Sequence, residues 1–220
     1  VQCEGAPSTE KSLVRLSVEN LVVDRGARRI VDGLSFAVEA GEALVLVGPN
    51  GAGKTTVIRT VAGLIGVAGG SITLEGGDGE KELPAQAHYI GHLNALKPSL
   101  TVEENLRFWA AYLGGGAVDG AAIDAALAAF DLEPLAMIPA GYLSAGQKRR
   151  ACLARLLSTP RPLWLLDEPT VSLDAASVRL LAKQVGAHVA GGGLVLAATH
   201  IPLGLASERR LEIGVRSAAA

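Results

Sequence analysis

Gly48-Pro49-Asn50-Gly51-Ala52-Gly53-Lys54-Thr55-Thr56 stands directly after the apolar run Ala43–Val47 and opens a helix-forming stretch over residues 54–64. Strand, glycine loop and helix in that order are the context a phosphate-binding loop requires. The glycines let backbone N–H groups wrap around phosphate oxygens, and the helix N-terminus adds positive potential there. In such a loop Lys54 reaches the β- and γ-phosphates and Thr55 places its hydroxyl on Mg²⁺. The bland alternative, a glycine turn before a core helix, does not account for a lysine and a hydroxyl at these positions.

A second constellation follows. The apolar run 163–166 ends in Asp167-Glu168-Pro169. Successive residues at a strand end point in different directions, so two carboxylates there can divide two tasks. Asp167 suits the metal, and Glu168 suits an attacking water, as a general base. Between the two motifs lies Leu143-Ser144-Ala145-Gly146-Gln147. Read physically, it is a helix start with Ser144 as N-cap, leaving a hydroxyl and free N–H groups aimed outward. That is again an anion-binding geometry.

The rest of the chain fits one α/β domain over residues 13–220. Runs 13–18, 21–23, 30–31 and 34–38 are short and β-branched or alternating, and read as an antiparallel β portion. Further strands are expected at 72–74, 88–90, 163–166, 194–198 and 210–213. Thr101-Val102-Glu103-Glu104 has the spacing of a capping box and opens a helix ending near Leu113. Helices are also expected at 121–130, 145–158 and 175–189, the last with Asp174 as N-cap. The helical stretch between the α/β halves suggests an inserted subdomain over about residues 93–158. Residues 1–12 read as a disordered polar leader without the charged-then-apolar layout of a secretory signal.

Bulk properties narrow the function. Among 220 residues 49% are hydrophobic, which suits a sheet buried on both faces, and no apolar run is long enough for a membrane span. A net charge of −2 gives no global attraction for nucleic acid. Cys3 and Cys152 are far apart and read as free thiols of a reducing compartment.

With these motifs together, the chain resembles the ATP-binding-cassette (ABC) ATPases, whose signature is LSGGQ. The turn Val171-Ser172-Leu173-Asp174 resembles that family's D-loop, and Thr199-His200 follows the last apolar strand as the family requires. The resemblance implies a P-loop NTPase fold with ATP and Mg²⁺ as cofactors. It also implies a homodimer in which the signature of one copy, Leu143 to Gln147, faces the γ-phosphate held by the other. Asp174 would couple the two sites, and His200 would contact the γ-phosphate. Two departures stand out. The family's Gln at the end of the strand before the helical insert is replaced by His92. The aromatic that usually stacks on adenine is missing, with Arg25 in its place; a guanidinium plane can also stack on a base.

Within the family, Gly91-His92-Leu93-Asn94-Ala95-Leu96-Lys97, the Ala145 of the signature, Trp164 in the carboxylate-bearing strand and Ala198-Thr199-His200-Ile201-Pro202-Leu203 resemble the cytochrome c maturation ATPases. That resemblance implies membrane subunits CcmB and CcmC with CcmD, and the haem chaperone CcmE as an indirect partner. It places the chain peripherally on the cytoplasmic face of a bacterial inner membrane. A membrane partner would dock on residues 93–100 with Phe108, Trp109 and Tyr112. If Phe108 and Tyr112 are instead core of the insert, Leu96 and Lys97 remain as the interface. The competing readings are a soluble cassette of DNA repair, translation or iron–sulfur assembly, the ATPase of another ABC transporter, and a P-loop kinase or switch GTPase. One cassette without heptads or basic surface disfavours the first, and the signature disfavours the last.

A neutral imidazole offers a lone pair at position 92 where an imidazolium cannot. ATP turnover is therefore expected to fall in acid as His92 gains its proton, and this acid limb is expected to vanish in His92→Gln. Superimposable pH–rate profiles of the two proteins would refute it.

Overall fold

The computed structural model describes residues 13–116, 118–200, 203, 205 and 208–214. The leader and the Ile201-Pro202 pair lie outside the described residues.

The chain begins with a long hairpin, β1 (Arg15–Arg25) and β2 (Arg28–Val38), where the sequence suggests four fragments. The strands run on because their irregularities are absorbed as register shifts along the pair instead of as breaks. At one of them Asn20 sits at φ 47°, a conformation asparagine tolerates, and its N–H donates to Ser35 Oγ at 2.8 Å. β3 (Ala43–Val47) leads into the glycine loop and α1 (Lys54–Val61). The helix stops three residues short of the expected end: Gly63 adopts φ 73°, and Leu64 N–H turns back to the Arg59 carbonyl at 2.8 Å.

β4 (Gly69–Glu75) and β5 (Ala87–Ile90) follow, then α2 (Val102–Gly114), α3 (Gly120–Ala129) and α4 (Ala145–Ala154). The capping box of α2 is formed, Glu104 N–H to Thr101 Oγ1 at 3.1 Å and Thr101 N–H to Glu104 Oε2 at 2.8 Å. α4 tightens after Ala154 into a 3₁₀ turn, Arg155–Leu157, so the expected single helix is two pieces. β6 (Leu163–Asp167), α5 (Ala175–Ala190), β7 (Leu194–Ala198) and β8 (Arg209–Glu212) complete the chain.

Two sheets result. β2-β1-β4 is antiparallel, and β5-β6-β7-β3-β8 is joined by parallel pairings throughout. The parallel strands alternate between two cores. Leu44, Leu46, Leu163, Leu165, Leu194 and Leu196 face the antiparallel sheet and α1. Val45, Trp164, Leu166, Val195 and Ala197 face the other way, in one cluster with Ile123, Phe130 and Leu132 of the inserted helical stretch. Both faces are therefore dry, as the near-continuous apolar strands demand. Polar function is pushed to the strand ends, and the ends of β3, β6 and β7 are neighbours.

β5 is an edge strand, and two arginines occupy its outer side. Arg155 Nη2 donates to the Tyr89 carbonyl at 2.7 Å, and Arg161 Nη1 to the Ala87 carbonyl at 2.6 Å. Arg155 also lies 4.3 Å above the Trp109 ring.

Between these residues His88 is buried at 1% exposure. Its Nε2 lies 2.7 Å from the Thr159 carbonyl, which only accepts, so Nε2 carries the proton and Nδ1 is left buried without a partner. Burial pushes the imidazole pKa down to about 3, against the opposing bond to Thr159. The unfolded chain binds a proton here near the ordinary value of ~6.5, so acid favours unfolding across that window. Acidification from about pH 7 to about pH 5 is expected to remove about 2 kcal/mol through this group alone. His88→Gln keeps an N–H for Thr159 and does not titrate, so its Tm should fall less steeply with acid. An equal slope for the two proteins would exclude His88 as the source.

Candidate active site

The phosphate loop is shaped by contacts only glycine permits. Gly48 lies at φ 136°, and a Cβ there would sit 2.3 Å from the Ile213 carbonyl oxygen. Gly53, the N-cap of α1, lies at φ 103° against Ile30. Lys54 is buried and folds back over the loop, its Nζ donating to the carbonyls of Gly48 at 2.7 Å and Pro49 at 3.0 Å. No acidic side chain sits in the first turn of α1, so the helix N-terminus is open to an anion.

Thr55 Oγ1 donates to Asp167 Oδ1 at 2.8 Å. That bond joins the first turn of α1 to the end of β6, and it pairs the two oxygen donors expected around Mg²⁺. Both are hard ligands of the kind that ion takes, and two protein ligands are enough where phosphates and water complete an octahedron.

Glu168 departs from ordinary backbone geometry at φ 50°. A non-glycine residue there carries strain on the order of ~1–3 kcal/mol and persists only where its surroundings fix it. Here both backbone groups are fixed: Glu168 N–H donates to the Ala198 carbonyl at 2.8 Å, and the Glu168 carbonyl accepts from Arg149 Nη2 at 2.7 Å. The turn aims the carboxylate at His200, whose Nε2 is 3.4 Å from Glu168 Oε1 and 3.0 Å from Asn50 Oδ1. Phosphate loop, carboxylate and histidine thus meet at the ends of three adjacent strands.

Other expected site residues lie apart. Ser144 and Ala145 are exposed, and the signature bonds to itself: Gln147 N–H donates to Ser144 Oγ at 3.2 Å and Ser144 N–H to Gln147 Oε1 at 2.8 Å. Gly146 packs against the D-loop turn, where a Cβ would lie 3.0 Å from the Ser172 carbonyl oxygen. Asp174 caps α5, accepting from Ser177 N–H at 2.7 Å, a bond that holds its carboxyl below the usual range. His92 and Arg25 line a groove of about 660 Å³ with Arg59, Tyr89, Trp109 and Tyr112. Phe108 and Tyr112 are 55% and 72% exposed, so they are not the core of the helical stretch; they stack on each other with centroids 6.3 Å apart. Trp164 is buried face to face with His188, centroids 4.0 Å apart.

One residue escaped the sequence reading. Arg149 of α4 is buried at 3% exposure and donates to the carbonyls of Gly91, Glu168 and Pro169. The available signal was its helical spacing: it shares a face with buried Cys152 and Leu153. The run Lys148-Arg149-Arg150 looks instead like a solvated basic turn.

Comparison with known proteins agrees with this fold. A family profile described as ABC transporter matches residues 31–171. The cytochrome c biogenesis ATP-binding export protein CcmA of Nitrobacter winogradskyi is 54% identical over 201 residues, covering 91% of this chain and 98% of that protein. Its namesake in Rhizobium meliloti is 50% identical over 204 residues, with the same coverages of 91% and 98%. A solved ATP-binding subunit of an ABC transporter superposes with a TM-score of 0.75 at 30% identity, covering 84% of this chain and 79% of its own. A dimeric ATP-binding cassette solved with ADP and phosphate gives a TM-score of 0.74 at 24% identity over 90% of this chain and 94% of its own. The chain belongs to the ABC transporter ATP-binding family, among the cytochrome c biogenesis ATP-binding export proteins.

Proposed function

We propose that two copies of this chain close on two ATP molecules and hydrolyse them to drive cytochrome c maturation. The observation that carries the reading is the convergence of Asn50, Glu168 and His200 beside the Thr55–Asp167 pair. In each site Lys54 and the loop N–H groups hold the β- and γ-phosphates. Thr55 and Asp167 hold Mg²⁺, which supplies neutralisation of phosphate charge. Glu168 takes a proton from the water that attacks the γ-phosphorus as the bond to the ADP oxygen breaks. His200 contacts the γ-phosphate, from a place beside Glu168 and the loop Asn50. The signature from Leu143 to Gln147 of the second copy supplies the opposite wall, and Asp174 links the two sites. Arg25 stacks on adenine, and His92 stands in for the usual glutamine.

No described helix is long and apolar enough to cross a membrane. The likeness to the cytochrome c biogenesis export proteins supports delivery of the work to membrane subunits, CcmB and CcmC with CcmD, on the cytoplasmic face of a bacterial inner membrane, ending in release of haem-loaded CcmE. The groove beside Leu93, Ala95, Trp109 and Tyr112 supports a docking place for them. Its loop is held in shape by buried Asn105, which binds Lys97 N–H at 2.8 Å and the Lys97 carbonyl at 3.1 Å, and by Trp109 Nε1 donating to the Ala95 carbonyl at 2.9 Å.

Glu168→Gln is expected to cut turnover by about 10²–10⁴ while nucleotide still binds, trapping an ATP-bound dimer visible by gel filtration. Normal turnover in that variant would remove Glu168 as the base. Expressed with the genes of its membrane subunits, the chain should be recovered with detergent-solubilised membranes. Recovery wholly in the soluble fraction would favour a cassette that works without a membrane partner.

A further inference from the structure

Arg149 is the buried cation that the hydrolytic scheme leaves without a task. Every nitrogen of its guanidinium is engaged. Nε donates to the Pro169 carbonyl at 3.0 Å; Nη1 to the Gly91 carbonyl at 2.7 Å and Asn94 Oδ1 at 3.3 Å; Nη2 to the Glu168 carbonyl at 2.7 Å, with the Asp167 carbonyl at 3.5 Å. These acceptors belong to two segments, the turn after β6 and the stretch after β5. The donor rides on the helix that the signature caps, in the turn following Ser144.

We propose that Arg149 is a positioning residue for hydrolysis, tying the signature helix to the backbone of Glu168 and to the segment that carries His92. A guanidinium is a rigid planar fork, so it satisfies carbonyls on both segments only when they hold one relative placement. Glu168 needs such a hold, because its left-handed φ of 50° is not a conformation it would keep unaided. The Ala198 carbonyl fixes its N–H from one side, and Arg149 fixes its carbonyl from the other. Without Arg149 the Glu168 peptide is free to relax, and the carboxylate leaves His200. The contacts of Lys54 and the Thr55–Asp167 side-chain bond involve no atom of Arg149, which meets Asp167 only at its backbone carbonyl and at 3.5 Å, so nucleotide capture depends on it little. A movement of α4 when the signature meets the partner's ATP reaches Glu168 and Gly91 together through one side chain.

The inference rests on Glu168 being the base, and the experiment separates the two claims. Arg149→Gln, Arg149→Lys and Arg149→Ala are made in the full chain, Arg149→Gln also in combination with Glu168→Gln, and steady-state ATP turnover and ADP affinity are measured. Arg149→Gln should lower kcat by about 10²-fold, the scale of a small misplacement of a reacting group, with ADP affinity unchanged. Arg149→Lys should not restore it, since an ammonium lacks the fork. Added guanidinium chloride at sub-denaturing concentration should partly rescue Arg149→Ala. In the Glu168→Gln background Arg149→Gln should cost far less than it does alone, because the part of its effect that runs through Glu168 is already lost. Wild-type turnover in Arg149→Gln, a loss in the double variant as large as that of Arg149→Gln alone, or a fall in ADP affinity parallel to kcat would each overturn the proposal. A fast Glu168→Gln variant would instead overturn the base assignment itself.

Discussion

A parallel sheet buried on both faces leaves polar chemistry only its strand ends, and this constraint organises the molecule. Alternate residues of β3, β6 and β7 are taken up by two separate apolar cores. The polar groups at the strand ends, and at the start of the helix that the loop after β3 leads into, are then gathered at one edge of the sheet. The 2.8 Å bond from Thr55 to Asp167, across the intervening strand, is the visible product. Glycine at position 48 is demanded by the same crowding, since the Ile213 carbonyl occupies the space a side chain would need.

The parts of this arrangement that depend on contiguous residues could be read from the sequence. The phosphate loop, the carboxylate pair after an apolar run, the capping box of α2 and the Ser144 cap of α4 are each complete within a few positions, so spacing alone states their geometry. The long hairpin was harder. Its register shifts break the alternation that marks a strand, so one pair of strands reads as four pieces. Arg149 was hidden for another reason. Its partners are backbone carbonyls, which have no residue identity, and the Gly91 partner lies 58 positions away. Phe108 and Tyr112 show a third limit: helical spacing puts them on one face, and only the fold shows that face to be outward.

Buried and half-buried arginines recur in this protein with carbonyls, not carboxylates, as their partners. Arg149, Arg155 and Arg161 all have pKa values lowered by burial, yet each stays within hydrogen-bonding reach of backbone oxygens from distant segments. A carboxylate partner would engage the fork at one place. Several carbonyls spread it over several loops, so the charge acts as a joint between segments. The helical stretch is fastened to the sheet partly in this way, with Arg161 also reaching the Leu113 carbonyl at the end of α2.

The two arginines along β5 have a further consequence, for association between chains. An edge strand with free carbonyls is a template on which another strand can add, and folded proteins suppress that with charge. Here the outward carbonyls of Ala87 and Tyr89 are already occupied, and the occupants are cations. A second sheet approaching this edge would meet desolvated guanidinium groups in place of acceptors. The protein can therefore leave β5 open at the rim of its groove, within reach of a partner, without inviting the cross-strand stacking that starts aggregation.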